Sequence, residues 1–248
     1  MSHAIEIIAH RGYSAKAPEN TLAALEAALA AGADAVEFDI HTAACGTPVL
    51  FHDAMLSRTT NGVGPTRRRT LQQLKTLDAG KWFSPDFAGE RIPSLEEALR
   101  ALKGRVPRIY AEVKGFRELE DLDRMVRLVR EAEMLSTVTF ISLNWTLLDR
   151  MRGQEPALAI GYVVDEAGEM EEAIQRCRGD VAALVDAKAS LFLEDPSTVA
   201  RIQAQGTDLA VWTVNEPAEA SALLAMGVRR ITTDQVGALL EWKTAAGG

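Results

Sequence analysis

Cysteine is scarce: Cys45 and Cys177 are the only two in 248 residues. They stand far apart, which excludes a disulfide framework and a cysteine-based zinc site. No apolar run approaches the roughly 20 residues that a membrane-spanning helix needs. The N-terminus also lacks a charged segment followed by an apolar one. A cytoplasmic protein with no stable membrane insertion is therefore expected. Positive charge is in deficit as well: 27 Lys and Arg face 35 Asp and Glu, for a net charge of -8. Nucleic-acid binders carry a basic face. The one basic cluster here, Arg67-Arg68-Arg69, reads as a solvated loop, so no nucleic-acid partner is expected. A Walker A pattern is absent, which argues against nucleotide triphosphate use, and no glycine-rich dinucleotide fingerprint follows the first strand, which argues against an open doubly wound sheet. What is present, 47% hydrophobic and 25% charged residues, is an ordinary globular composition with material for a large core.

The apolar, β-rich runs alternate with helical periods. Ile5–Ala9 reads as a buried strand, and its helix at Leu22–Ala31 is capped by Asn20 or Thr21. Ala35–Ile40 is the second strand, with an extended segment at Pro48–His52 beyond a Gly46-Thr47 turn. Residues 53–107 then lose the alternation and collect glycine and proline; they read as an insertion with short helices near Leu71–Leu77 and Ser94–Leu102. Strand–helix alternation resumes at Arg108–Val113 and Glu118–Ala132, Val138–Ser142 and Trp145–Arg152, and Ala157–Val163 and Met170–Cys177. It continues with Val181–Val185 and Pro196–Gln205, Leu209–Val214 and Pro217–Ala225, and Arg230–Thr232 and Val236–Trp242. About eight such units, in a single domain over residues 1–248, predict an α/β fold: a TIM (β/α)₈ barrel with an insertion between strands 2 and 3.

Active sites of such barrels lie at the C-terminal ends of the strands, and the unusual polar residues fall there. His10 and Arg11 end the first strand. Glu37 and Asp39, two apart in a strand, share one face and point into the mouth, while Val36, Phe38 and Ile40 face the helices. Glu112 and Lys114 repeat that geometry on a later strand, and His52 ends the extended segment. Two like charges buried side by side need a cation. Three converging carboxylates make a hard-oxygen site suited to a divalent cation, Mg²⁺ or Ca²⁺; the plainer reading is a salt-bridge cluster of Glu112, Asp39 and Lys114. His10 and His52 are able to divide acid and base work near neutral pH. His3 and His41 read as structural or incidental. Arg11 and Lys114 suggest an anionic substrate, phosphate above all. Together these point to metal-assisted phosphoryl chemistry.

The ordered blocks His10-Arg11-Gly12, Pro18-Glu19-Asn20-Thr21, Gly32-Ala33-Asp34 with Glu37-Phe38-Asp39, His52-Asp53 with Arg58-Thr59-Thr60, Leu77-Asp78-Ala79-Gly80, Ile92-Pro93-Ser94-Leu95, Glu112-Val113-Lys114 and Trp212-Thr213-Val214-Asn215 resemble the glycerophosphodiester phosphodiesterases. The resemblance spans nearly the whole chain. It implies a TIM barrel that hydrolyses small-molecule glycerophosphodiesters to an alcohol and sn-glycerol 3-phosphate with a divalent metal. By that resemblance His10 and His52 are the acid–base pair, Glu37, Asp39 and Glu112 the metal ligands, Arg11 and Lys114 the phosphate contacts, and Trp212 a wall for the glycerol part. Asn215 is either part of the site or a cap for the helix near Pro217. Two departures stand out. Ala44-Cys45-Gly46 replaces an Asp-Gly turn, and after the last strand, where the family has Thr-Asp followed by a short aromatic or proline stretch, Thr233-Asp234-Gln235-Val236 stands instead. Phosphodiester cleavage to a cyclic phosphate, and a barrel that only binds a phosphorylated ligand, are the alternatives.

Overall fold

The computed structural model of the protein describes residues 4–246; His3 lies outside them. Eight parallel strands close into a barrel: β1 (Glu6–Ala9), β2 (Ala35–Thr42), β4 (Arg108–Val113), β5 (Val138–Ser142), β6 (Ala159–Val164), β7 (Ala183–Lys188), β8 (Asp208–Trp212) and β9 (Arg230–Thr233). Pairing of β1 with both β9 and β2 closes the ring. The short β3 (Pro48–Leu50) runs antiparallel to β2, with Ile40 opposite Leu50. It takes the edge of β2 beyond Val36, where the pairing with β1 ends.

Around the ring lie α1 (Leu22–Ala31), α3 (Leu95–Leu102), α4 (Leu119–Glu131), α5 (Trp145–Gln154), α6 (Met170–Cys177), α8 (Ser197–Ala204), α9 (Pro217–Met226) and α10 (Val236–Ala246), with the short α2 (Leu71–Leu74) and α7 (Ala189–Glu194) between them. None of these helices is long and apolar enough to cross a membrane.

The alternation of strand residues builds two apolar layers. Val36, Phe38 and Ile40 of β2, Ile109, Ala111 and Val113 of β4, and Val185 and Ala187 of β7 join the layer between barrel and helices. The inward residues Ile8, Ala35, Tyr110, Ile141, Val163, Leu184 and Ala210 form a separate plug inside the barrel, as expected for a packed core rather than a pore. Two residues further along a strand is the same face, one layer higher. That step leads from Ile8 to His10, Ala35 to Glu37, Tyr110 to Glu112, Leu184 to Asp186 and Ala210 to Trp212, and all five upper residues line one cavity. The polar layer of the mouth thus sits directly on the apolar plug.

Three local differences from the sequence reading bear on the site. The sixth barrel strand, β7, starts at Ala183 and reaches Lys188, later than the apolar run from Val181, because Val181 is fully exposed. Asp186 is therefore inside a strand. The short α7 follows that strand directly and was not anticipated. The helix expected within the insertion, α3, packs between α1 and α4 as the second helix of the outer ring. The preceding segment holds an apolar cluster of its own, with Phe51, Leu56, Leu74, Ala79 and Ile92 packed against Ala43 and Val49 at the β2–β3 edge.

Candidate active site

Arg11, Gly12 and Asn20 all adopt left-handed backbone, with φ of 55°, 77° and 57°. For Arg11 and Asn20 that is an uncommon conformation. At Gly12 a Cβ would lie 2.6 Å from the backbone carbon of Ala24, so the turn needs glycine both for its φ and for the close approach to α1. The turn is tied to β2: the Arg11 amide donates to Glu37 Oε2 (2.8 Å) and the Gly12 amide to the Glu37 carbonyl (3.1 Å). Thr21, not Asn20, caps α1, accepting from the Ala24 amide at 3.2 Å. Asn20 instead clamps Asp39: its amide donates to Asp39 Oδ2 (2.7 Å), and its carbonyl accepts from the Asp39 backbone (2.9 Å).

Glu37, Asp39 and Glu112 are buried, and each offers an oxygen within 4.8 Å of the other two. Lys114 Nζ donates to Glu112 Oε1 at 2.6 Å and stands 3.5 Å from Asp39 Oδ1; Arg11 Nε is 3.3 Å from Asp39 Oδ2. The salt-bridge cluster considered from the sequence is therefore present, but it does not saturate the acids. Glu37 Oε1 and Asp39 Oδ1 are buried with no hydrogen-bond partner, which a buried carboxylate tolerates poorly. Burial, then the neighbouring Asp39 and Glu112 charges, push the Glu37 carboxyl well above the usual carboxylate range. Glu112 is raised by burial and then by Asp39. Burial acts to raise Asp39 too, but Arg11, Lys114, His52 and the Asn20 hydrogen bond overrule it and hold it low. An all-oxygen acidic set with unmatched oxygens fits a hard divalent cation.

Both histidines at the mouth are oriented by carboxylates. His10 Nδ1 lies 2.7 Å from Asp234 Oδ1, and His52 Nδ1 lies 2.6 Å from Asp53 Oδ1. Asp234 also accepts from Ser14 Oγ and from Asn215 Nδ2. Burial opposes its ionisation, but the His10 hydrogen bond and charge, with the Asn215 and Ser14 bonds, hold its pKa well below the ordinary value. Asp53 is held low first by its Arg58 hydrogen bond and then by His52. An ionised carboxylate only accepts, so each Nδ1 carries the proton and donates it. Each Nε2 is left as the nitrogen able to exchange a proton. His41 lies apart: its Nε2 is 3.0 Å from the His52 carbonyl, a structural contact.

One chain of ion pairs joins the two histidine-bearing segments. Arg11 Nη1 donates to Glu19 Oε1 (2.9 Å), Arg58 donates to both Glu19 oxygens, and Arg58 Nε donates to Asp53 Oδ2 (2.7 Å). The cavity at the barrel mouth holds about 200 Å³, and Asp186, Leu143, Ile141 and Val163 are part of its lining. His10, Arg11, Glu37, His52, Glu112, Lys114 and Trp212 all border it; Asp39 is buried and is not part of its lining.

Residues 10–238 match the Glycerophosphoryl diester phosphodiesterase family. The chain belongs to that family. It is similar to the glycerophosphodiester phosphodiesterase of Caldanaerobacter subterraneus subsp. tengcongensis, 31% identical over 94% of this chain and 96% of that one. Among solved structures it resembles an Oleispira antarctica phosphodiesterase in complex with the product sn-glycerol-3-phosphate (TM-score 0.87, 31% identity, 96% of each chain). It also resembles a glycerophosphodiester phosphodiesterase of Agrobacterium tumefaciens str. C58 (TM-score 0.80, 27% identity, 94% of this chain and 97% of that one). Family members are enzymes, glycerophosphodiester phosphodiesterases, and this chain is one of them.

Within this family member, sequence reasoning had passed over Asp234, Glu19, Asp53 and Arg58 as functional groups. Asp53 follows a histidine directly, and Glu19 and Arg58 lie in the blocks that carry the family resemblance, so a signal existed for those three. Asp234 stands in the Thr233-Asp234 block after the last strand, but nothing local points from it to His10. Asn215 does not cap α9; its carbonyl accepts from Thr233 Oγ1 and the Asp234 amide, so it fixes the carboxylate that orients His10.

Proposed function

We propose that the chain hydrolyses small-molecule glycerophosphodiesters to an alcohol and sn-glycerol 3-phosphate, with Mg²⁺ or Ca²⁺ held by Glu37, Asp39 and Glu112, and that barrel and insertion act as one domain. The observation that carries this reading is one cluster at the barrel mouth: the buried Glu37, Asp39 and Glu112, the first two with unmatched oxygens, stand with two carboxylate-oriented histidines and two cations at a shared cavity. When bound, the cation supplies Lewis-acid neutralisation of phosphate charge and makes a hydroxyl more acidic.

The protein's own groups do the rest. Lys114 has three donors and places one on Glu112; Arg11 has five and places one on Glu19. Donors remain on both for the phosphoryl oxygens, where they neutralise charge that builds as the diester reacts. Hydrolysis needs a proton removed from the nucleophile and one returned to the leaving alkoxide. His10 and His52 divide these tasks, one starting neutral and the other protonated at Nε2, each held in its tautomer by Asp234 or Asp53. Trp212 forms the wall beside the glycerol part.

The test is turnover of choline, ethanolamine, glycerol and inositol glycerophosphodiesters with either metal, followed by phosphorus NMR. sn-Glycerol 3-phosphate as end product is expected. A cyclic phosphate as end product would move the reading to phospholipase-type cleavage. Tight binding without turnover would replace hydrolysis by ligand binding.

A further inference from the structure

One carboxylate of the cavity takes no part in the chemistry above. Asp186 is 4% exposed and lines the cavity. Its Oδ1 is buried without a hydrogen-bond partner. Strand register sets it between Val163 on β6 and Ala210 on β8, both buried and apolar, and Leu184 lies one layer below. Lys188, next on the same face of β7, is exposed and donates to Asp165, so it does not serve Asp186. Burial and the Glu112 charge push the Asp186 carboxyl up to about 7, with Lys114 acting against them. The Asp186 main-chain carbonyl accepts from Trp212 Nε1 at 3.2 Å, which pins the indole beside it.

A buried acceptor facing a cavity needs a donor, and here the protein provides none. The donor belongs to the ligand. The phosphate is not that part, since it carries no donor and is drawn to Arg11 and Lys114. A hydroxyl fits, because a neutral donor enters this narrow, largely apolar corner without bringing a second charge to desolvate.

We propose that Asp186 is a specificity-determining residue that accepts a hydrogen bond from a hydroxyl of the glycerol arm while that arm lies against Trp212. The inference rests on the proposed function for the placement of phosphate and glycerol. It makes the site selective for polyol phosphates over alkyl phosphates of equal length.

The experiment is calorimetric binding, with Mg²⁺ present, of sn-glycerol 3-phosphate, n-propyl phosphate and ethanolamine phosphate to the wild type, Asp186→Leu and Asp186→Asn. Thermal unfolding of each variant checks its fold. The wild type should favour glycerol 3-phosphate over propyl phosphate by at least about tenfold. Asp186→Leu should bring that preference to within about twofold while leaving propyl phosphate affinity nearly unchanged, and Asp186→Asn, which retains an acceptor, should keep most of it. An equal preference in wild type and Asp186→Leu, a parallel loss for all three ligands, or an Asp186-dependent preference for ethanolamine phosphate would each overturn the proposal. Wild-type turnover of a glycerophosphodiester is measured alongside. Selectivity that depends on Asp186 without turnover would refute hydrolysis and leave this inference standing, whereas turnover without such selectivity would do the reverse.

Discussion

The two sides of the barrel mouth are built on opposite principles. The side formed by β1, β2, β4 and the start of the insertion carries charge braced by charge: Arg11, Glu19, Arg58, Asp53 and His52 form a continuous chain, and Lys114 bridges Glu112 toward Asp39. The side formed by β5, β6, β7 and β8 presents Ile141, Leu143, Val163 and Trp212, with Asp186 as its one acid in the cavity lining. Both sides stand on the same apolar plug. On the proposed function, the difference separates two tasks that a phosphodiesterase performs at once: holding and neutralising a phosphoryl group, and recognising the carbon arm attached to it.

The comparison breaks most visibly at the histidines. His10→Ala and His52→Ala should each lower kcat by about 10² to 10⁴-fold, read by steady-state turnover of glycerophosphocholine. Near-normal turnover in either variant would remove that histidine from proton transfer. Asp234→Asn leaves His10 in place but deprives its Nδ1–H of an ionised acceptor. A fall in kcat of about 10²-fold, with a small change in KM, is expected; a change confined to KM would make Asp234 a binding residue instead. Trp212→Ala, on the apolar side, should act the other way, raising KM by roughly tenfold with kcat much less affected.

The smallest effect is on stability. The folded pKa of Asp53 is depressed below its ordinary 3.8. The folded protein therefore gives up that proton more readily than the unfolded chain, and the stabilisation is complete above the unfolded value. It is lost as pH falls below about 4 toward the folded pKa. Asp53→Asn should flatten this acid limb of the unfolding curve, as followed by circular dichroism between about pH 5 and pH 2. An unchanged limb would show that the Arg58–Asp53–His52 contacts do not contribute to folding.

The charged side was far more legible in the sequence than the apolar side. Glu37 and Asp39 betray a shared face by their spacing of two, and His10-Arg11-Gly12 sits at the end of an unmistakable apolar run, so strand periodicity with the barrel assignment places four of the site residues at one rim. Asp186 escaped for the same reason in reverse. The apolar run in the sequence begins at Val181, which is exposed, and ends at Val185, so the acid reads as part of the loop that follows rather than as an inward residue of β7. Asp234 escaped because its partner His10 is near the other end of the chain, and only barrel closure between β1 and β9 brings them together. Asn20 and Thr21 are equal candidates in the sequence for the cap of α1, and the actual bond from Asn20 to Asp39 depends on how the left-handed turn at Arg11 folds back on β2. Helix α3 lay in a glycine- and proline-rich stretch whose composition hid its return to the outer ring.

The central claim is that the charged side holds a divalent cation on which hydrolysis depends. Its most direct test is glycerophosphocholine turnover by the chelated protein, before and after Mg²⁺ or Ca²⁺ is restored, with Glu37→Gln alongside and metal binding followed by calorimetry. The expected result is no turnover in chelator, recovery on adding metal to the wild type, and neither metal binding nor recovery in Glu37→Gln. Full turnover in chelator would contradict the account.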